Sequence, residues 1–246
     1  MRVFVMKKAT LFRIAAAALT AAAIFVYASI ALKEDTEVFA QNSALVSGNG
    51  LKKEAALTID TSFGESDYTE AILDVLDEHG AKATFAVMGI WARENPDLVK
   101  EMIDRGHDII SHSMTHERYK DLGKEEAAAD AQASLELLRT DFGIGTDMIR
   151  LPYGSGTEEI NAALSENGLK VVGWSLDSED WKGEPAEEIA EDILDDLKPG
   201  DIVLFQNNVE ATPAAIGMVL EEMGKRAYSA VTLQELAAEK IGGETK

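Results

Sequence analysis

The sequence contains no cysteine among its 246 residues. This absence excludes disulfide bridges, thiolate metal sites and a cysteine nucleophile. Basic residues are also scarce, with 23 Lys and Arg against 44 Asp and Glu and a net charge of −21. A surface of this charge repels polyanions, so nucleic acid is excluded as a partner. Neither the Gly-x-Ser-x-Gly elbow of serine hydrolases nor a phosphate-binding loop occurs in the chain.

Near the N-terminus lies one uncharged stretch, residues 14–32, that is long enough to cross a bilayer. Four basic residues and no acid precede it, whereas three acids follow within five residues of Lys33. This asymmetry is typical of a segment whose N-terminus stays in the cytoplasm. We therefore predict a membrane anchor over residues 1–33 and a domain on the extracytoplasmic face of the membrane. A signal peptide cleaved after Ala31 or Ala40 would look similar and would give a secreted protein instead.

A stalk is predicted over residues 34–50, which end in Ser-Gly-Asn-Gly, and a single domain over residues 51–246. Residues 1–33 hold five of the 23 basic residues and no acid, so the remaining chain has a net charge of −26. Neutral glycans and amino sugars are compatible with such a surface, unlike anionic lipids or teichoic-type polymers. No sequence feature indicates a protein partner.

From Leu51 onward, short apolar runs alternate with helical patterns. The apolar runs predict strands at residues 55–59, 83–88, 108–110, 171–174, 201–205 and 230–233. Amphipathic spacing predicts helices, for example at residues 69–78 and 125–138. This alternation is typical of an α/β fold with a parallel sheet, closed or open, whose functional groups follow the C-terminal ends of the strands.

Two of the predicted strands are followed by residues suited to catalysis or metal binding. Asp60 directly follows the first strand, although an Asp at such a place is also a common turn or helix-capping residue. His112 and His116 follow the strand around Ile109, and one helical turn would bring their imidazoles together. The pair indicates a metal site, with two exposed loop histidines as the alternative.

Later polar segments also accompany predicted strands. Arg150 opens an Arg-Leu-Pro-Tyr-Gly segment, in which proline and glycine bend the backbone and can aim an amide N–H into a site. Trp174 and the acidic run at residues 177–181 follow the next strand. These acids could orient Arg150, and the Trp174 ring could pack on a sugar or simply in the core.

Taken in order, these segments resemble the polysaccharide deacetylase domain, also called the NodB-homology domain or carbohydrate esterase family 4. The match covers roughly residues 55–236 and rests on residues 57–60, residues 82–85 with 106–107 and the His112/His116 pair, and residues 150–154, 177–181 and 200–204. The resemblance implies an α/β fold, a distorted (β/α)7 barrel, that removes acetyl groups from N-acetylated sugars. It also implies a divalent metal as cofactor, zinc or a similar ion.

The resemblance implies the metal-binding and basic groups of this reaction. His112 and His116 would bind the metal. Asp60 would be the general base that takes a proton from the water attacking the acetyl carbonyl.

The resemblance also implies supporting roles for other residues. The backbone N–H of Tyr153 would stabilise the oxyanion, and Arg150 paired with Asp180 would hold the base in place. Trp181 and Leu204 would line the pocket for the acetyl group and so contact the glycan substrate.

The chain departs from the common family pattern at Thr61, where many members carry a second Asp that binds the metal. The segment that runs from Asp60 to Glu65 is closer to the sporulation-type subgroup, in which that Asp is also absent. We therefore expect Glu65 or water to complete the metal shell.

A second departure is Gln206, which stands where family members usually place a His that acts as general acid. An amide cannot titrate, and the histidines of this chain all precede position 117. A positioned acid typically contributes about 10²–10⁴-fold to a rate. Two functions therefore stay open: a weak deacetylase of cell-envelope glycan, such as peptidoglycan or chitin-like oligomers, acting on N-acetyl or O-acetyl groups, or a catalytically inactive domain that binds glycan.

Overall fold

The computed structural model describes residues 45–243, which fold around one parallel β-sheet. Its strands are β1 (Glu54–Thr61), β2 (Thr84–Val87), β3 (Asp108–Ser111), β4 (Met148–Ile149), β5 (Lys170–Val171), β6 (Leu176–Asp177), β7 (Ile202–Gln206) and β8 (Ser229–Val231). The strand order is β5-β4-β3-β2-β1-β7-β6, and β8 pairs with β1. Every pairing between these strands is parallel. The predicted α/β class with a parallel sheet is confirmed.

Helices follow the strands along the chain. They are α1 (Thr69–Glu78), α2 (Gly89–Glu94), α3 (Pro96–Asp104), α4 (Lys124–Phe142), α5 (Glu158–Glu166), α6 (Ala186–Asp196), α7 (Thr212–Lys225) and α8 (Leu233–Gly243). Local signals mark several ends: the Thr157 side chain accepts the Ile160 N–H at the start of α5, and α4 ends at Gly143 in a left-handed conformation. Short 3₁₀ turns lie at Tyr119–Asp121, Pro152–Gly154 and Asp180–Lys182.

The central strand β1 separates two apolar layers. Seven of its eight residues are buried, as expected for a parallel strand covered on both faces. Leu57 and Ile59 pack with the helices in the largest apolar cluster. Ala56 faces the other way, with Ile202 and Leu233. The sheet is curled into a half-barrel, and the even-numbered residues of β1, on the side of Ala56, lie on its inner face.

Part of the predicted stalk belongs to the folded domain. Leu45 is buried, its N–H donates to the Val171 carbonyl at 3.3 Å, and its carbonyl accepts from Gly173 N–H at 2.9 Å. The fold thus begins before the predicted boundary at residue 51. The predicted anchor over residues 1–33 lies outside the described residues. Within residues 45–243, no helix has the length and apolar character needed to span a bilayer.

Most predicted strands and helices coincide with observed ones, and the differences involve the shortest strands. The strand expected at residues 171–174 ends at Val171, and β6 follows as a separate strand. The strand expected at residues 230–233 ends at Val231, where α8 soon begins. Strands β4 and β6 contain two residues each, which is too short for any apolar pattern to reveal.

Candidate active site

A fully buried arginine holds the Asp60 carboxylate at the C-terminal end of β1. Arg150 Nη1 donates to Asp60 Oδ1 at 3.0 Å and to Thr58 Oγ1 at 2.7 Å, while Nη2 donates to the Gly173 carbonyl at 3.0 Å. Thr58 and Asp60 are two residues apart in one strand, so both point to the inner face. These bonds fix the guanidinium, which in turn fixes the orientation of the candidate base.

Asp180 lies elsewhere in the site, and the predicted pairing of Arg150 with Asp180 is wrong. Asp180 Oδ2 accepts from the Gln206 backbone N–H at 2.9 Å and from the Thr212 hydroxyl at 2.6 Å. It therefore fastens the end of β7 and the start of α7, while Arg150 is bonded to β1. Burial raises the pKa of Asp180, although the bonds from Thr212 and Gln206 act the other way. Its Oδ1 is buried without any hydrogen-bond partner.

Gln206 ends β7 and is the register partner of Asp60. Its backbone N–H is bonded to Asp180, but its side-chain amide has no hydrogen-bond partner among residues 45–243. Residues paired across parallel strands point to the same face of the sheet. Position 206 thus lies on the inner face beside the candidate base, with a group that cannot titrate.

The two candidate metal ligands lie in the turn after β3, with ring centroids 4.9 Å apart. They are neighbours as predicted, but the helical turn expected between them is absent from this described segment. The chain bends instead through left-handed φ values of 68° at Ser113 and 63° at His116. Ser113 Oγ accepts the His116 N–H at 2.9 Å, which stabilises this bend. A tight loop therefore brings His116 back toward His112.

Asp130 of α4, which sequence reasoning missed, anchors this turn. Its Oδ1 accepts from Met114 N–H at 2.9 Å and from the Tyr119 hydroxyl at 2.7 Å, and its Oδ2 accepts from the Thr115 hydroxyl at 2.8 Å. On the other side, the Met114 carbonyl accepts from Ile90 N–H of α2 at 3.1 Å. No sequence signal distinguishes Asp130, because α4 carries several other acidic residues that face solvent.

Both imidazoles have the chemistry of metal ligands. His112 Nδ1 donates to the Arg150 carbonyl at 3.0 Å, which leaves the lone pair on Nε2, 3.6 Å from Asp60 Oδ2. Burial lowers the pKa of both rings, to about 4 for His116, where the neighbouring His112 contributes further. Both rings are therefore neutral at pH 7, which is the form that binds a metal.

A third metal ligand beside the histidine pair is predicted to come from Glu65 or from water. Thr61 is buried and carries no charge, and Glu65 is exposed. Among the residues described, no set of three or more His, Asp or Glu side chains is arranged to hold an ion, and the expected completion of the metal shell by Glu65 or water stays a prediction. The donors thus fit a divalent metal in part, as two of the three protein ligands that catalytic zinc sites usually have.

Tyr153 lies in the 3₁₀ turn after β4 with a left-handed φ of 58°. Its backbone N–H has no acceptor among the described residues, so it is available to an external oxygen. The ring packs 4.8 Å from the His116 ring, and the Arg118 guanidinium lies 4.0 Å from its centroid. These contacts hold a strained backbone position in place beside the histidine pair.

The predicted acetyl-pocket residues differ in exposure. Leu204 is buried on the inner face, two residues before Gln206. Trp181 is 58% exposed in the turn after β6. Trp174 packs against the apolar clusters of the barrel, as expected for a core residue. Leu204 is thus suited to the wall of an acyl pocket, and Trp181 is accessible to a sugar.

Residues 47–172 match the family model described as polysaccharide deacetylase. The chain belongs to the polysaccharide deacetylase family. The resemblance inferred from the ordered motifs is thereby confirmed at the level of the family. Membership in the sporulation-type subgroup stays a prediction.

Relatives within the polysaccharide deacetylase family include both enzymes and a pseudoenzyme. The chain is 32% identical to the peptidoglycan-N-acetylglucosamine deacetylase PgdA of Listeria monocytogenes over 189 residues, which cover 77% of this chain and 40% of that protein. The solved structure of the Bc1960 peptidoglycan N-acetylglucosamine deacetylase has a TM-score of 0.76 and 28% identity, covering 80% of this chain and 94% of that one. BA3943, a CE4 family pseudoenzyme from Bacillus anthracis, has a TM-score of 0.74 and 26% identity, covering 79% and 68%. The chain therefore spans less than half the length of the Listeria relative.

Proposed function

We propose that this chain hydrolyses the acetyl groups of N-acetylated cell-envelope polysaccharide, such as peptidoglycan or chitin-like oligomers. The observation that carries the proposal is the buried Arg150, which fixes the Asp60 carboxylate 3.6 Å from His112 Nε2. Burying a carboxylate is costly, and a domain that only bound glycan would have no use for it. The peptidoglycan and chitooligosaccharide deacetylases among its relatives support the substrate class.

Each residue of the site has a separate role in amide hydrolysis. Asp60 takes a proton from the water that attacks the acetyl carbonyl, and Arg150 keeps the carboxylate in position. The Tyr153 N–H donates to the oxyanion that forms on the carbonyl oxygen. A divalent metal such as zinc, held by the histidine pair with water completing its shell, would supply Lewis acidity at the same place. Leu204 and Trp181 would contact the acetyl group and its sugar.

The same proposal includes two further points. The domain forms a distorted (β/α)7 barrel, and it lies outside the cytoplasm. The support for this location is the uncharged stretch at residues 14–32, with basic residues before it and acids after it. Protease added to intact spheroplasts is expected to digest the domain. Protection that persists until the membrane is dissolved would contradict this location.

The second candidate function is glycan binding without catalysis. Gln206 favours it, because an amine leaving group depends on a proton that an amide side chain cannot supply. The buried Asp180 Oδ1, which has no hydrogen-bond partner among the described residues, also supports it. Similarity to the BA3943 pseudoenzyme also supports this alternative.

Acetate release from N-acetylglucosamine oligomers by the full chain, with zinc added, tests the proposal. Asp60→Asn preserves the shape of the side chain and is expected to lower the rate about 10²–10⁴-fold. Asp104→Asn, an exposed aspartate at the end of α3, is the matched control. A wild-type chain that binds the oligomer and releases no acetate would favour the second function.

A further inference from the structure

Asp177 lies on the inner face of the half-barrel, close to the altered position 206. It ends β6 and is the register partner of Leu204 on β7. Leu204 and Gln206 are two residues apart in β7, and Gln206 is the partner of Asp60. Because partners across parallel strands and alternate residues within one strand share a face, Asp177, Gln206 and Asp60 all point inward.

One oxygen of the Asp177 carboxyl is available for chemistry. Its Oδ1 accepts the Glu179 backbone N–H at 2.9 Å, which fixes the orientation of the group. Its Oδ2 has no hydrogen-bond partner, and the carboxyl has no basic partner, among the residues that the structure describes. The residue is partly buried, so Oδ2 is neither sealed in the core nor neutralised at the surface.

The surroundings of Asp177 favour a retained proton. The pKa of Asp177 is raised from 3.8 to about 6, mainly by burial. The negative charges of Glu179, Asp180 and Asp60 also contribute to this rise, whereas the hydrogen bond from the Glu179 N–H lowers the pKa. A general acid works best when its pKa is near the working pH. Asp177 thus has the character of an acid, in contrast to the arginine-bound Asp60.

Other groups near position 206 are less suited to deliver a proton. Asp180 is fully buried, and its Oδ2 is committed to Gln206 and Thr212. The Tyr153 ring is packed against His116 and an arginine. Lys182 is paired with the Glu179 carboxylate. Within the described site, Asp177 therefore combines inward direction, a free oxygen and a titratable proton.

We propose that Asp177 gives the leaving nitrogen the proton that Gln206 cannot supply. This role rests on the proposed deacetylase function. Water oxygen bonds to the acetyl carbon as Asp60 takes one of its protons. The C–N bond then breaks with its electrons moving to nitrogen, while the Asp177 O–H proton moves to the same nitrogen. The products are the free amine and acetic acid, and solvent returns the proton from Asp60 to Asp177.

Asp177→Asn separates this role from a structural one when two substrates with different leaving groups are compared. The amide of an N-acetylglucosamine oligomer needs a proton on nitrogen, whereas para-nitrophenyl acetate releases a stable phenolate without one. We expect amide turnover to fall about 10²-fold and ester turnover to stay nearly constant. Asp104→Asn, at an exposed position at the end of α3, should leave both substrates nearly unaffected.

The pH profile gives a second readout. Amide turnover by the wild type should fall tenfold per pH unit above a pKa of about 6, because the acid must be protonated. In Gln206→His, this basic limb should move to higher pH as the imidazole takes over the proton transfer.

Equal losses on amide and ester in Asp177→Asn would overturn the proposal, since they indicate a disturbed site. Unchanged amide turnover in the same variant would also overturn it, while leaving the deacetylase function intact. A wild-type chain that hydrolyses neither substrate, and behaves like Asp60→Asn, would overturn the deacetylase function and this role with it.

Discussion

The two halves of the candidate site differ in whether the functional side chain is held by other side chains. In the base half, Asp60, Arg150 and His112 are each held by bonds to one another or to the backbone, although the guanidinium Nε, His112 Nε2 and Asp60 Oδ2 make no hydrogen bond among the described residues. In the acid half, Asp180 Oδ1 is buried without a partner and the Gln206 side chain is unbonded among the described residues. A buried oxygen without a partner is costly, so a native structure rarely retains one without a reason.

This difference indicates that residue 206 can change without disturbing the position of the Asp60 carboxylate. None of the hydrogen bonds that hold Asp60 involves β7 side chains. The acid half keeps its backbone geometry because Asp180 bonds to the backbone N–H at position 206, which any residue except proline provides. The difference at position 206 is therefore confined to the side chain.

The largest expected effect concerns the ion pair of the base half. Arg150→Met leaves the Asp60 carboxylate buried without its cation and should lower the free energy of unfolding by about 3–5 kcal/mol. Arg139→Met, which breaks an exposed pair with Glu136, should change it much less, because solvent screens exposed pairs. Urea unfolding of both variants measures the difference. If both variants lost a similar free energy of unfolding, the buried Asp60–Arg150 pair would contribute no more to stability than the exposed pair.

A smaller effect is expected at the anchor of the histidine turn. Asp130→Ala removes the acceptor of three hydrogen bonds, two of which hold the turn between His112 and His116, and should weaken zinc binding about 10-fold, because the spacing of the two histidines is then less well fixed. Glu136→Ala, on the same helix but exposed, is the control. Calorimetric titration with zinc measures both. Unchanged affinity in Asp130→Ala would mean that the turn holds its shape without α4.

The smallest expected effect is on stability at Asp177, where the substitution should stabilise the protein at high pH instead of destabilising it. Because the pKa of Asp177 is raised to about 6 in the fold, its contribution to stability is present below pH 3.8 and is lost as the pH rises through 6. Asp177→Asn should therefore match the wild type near pH 4 and be more stable at pH 8, by about 1 kcal/mol after solvent screening. Urea midpoints at both pH values measure this, with Asp104→Asn as the exposed control. A destabilised Asp177→Asn at pH 8 would contradict the account.

A feature of this protein can be predicted from the sequence when the residues that determine it lie close together in the chain. The long apolar runs of β1 and β7, and the residues that follow them, are visible in the chain itself. The partners of Arg150 are not, because the Gly173 carbonyl reaches it only through the path of the chain after β5. Asp130 is equally hidden, since its contacts with the histidine turn depend on how α4 packs. Glu65 follows Asp60 closely in sequence yet is exposed, since the loop after β1 carries it outward.

The most direct test compares amide and ester hydrolysis by the wild type and by Gln206→His. An intact base half predicts that both proteins hydrolyse para-nitrophenyl acetate at similar rates, because this leaving group needs no proton. Turnover of the N-acetylglucosamine oligomer should rise about 10²-fold in Gln206→His, where an imidazole supplies the acid. A wild type inactive on the ester, or an ester rate that rises as much as the amide rate, would contradict the claim that the base half is intact.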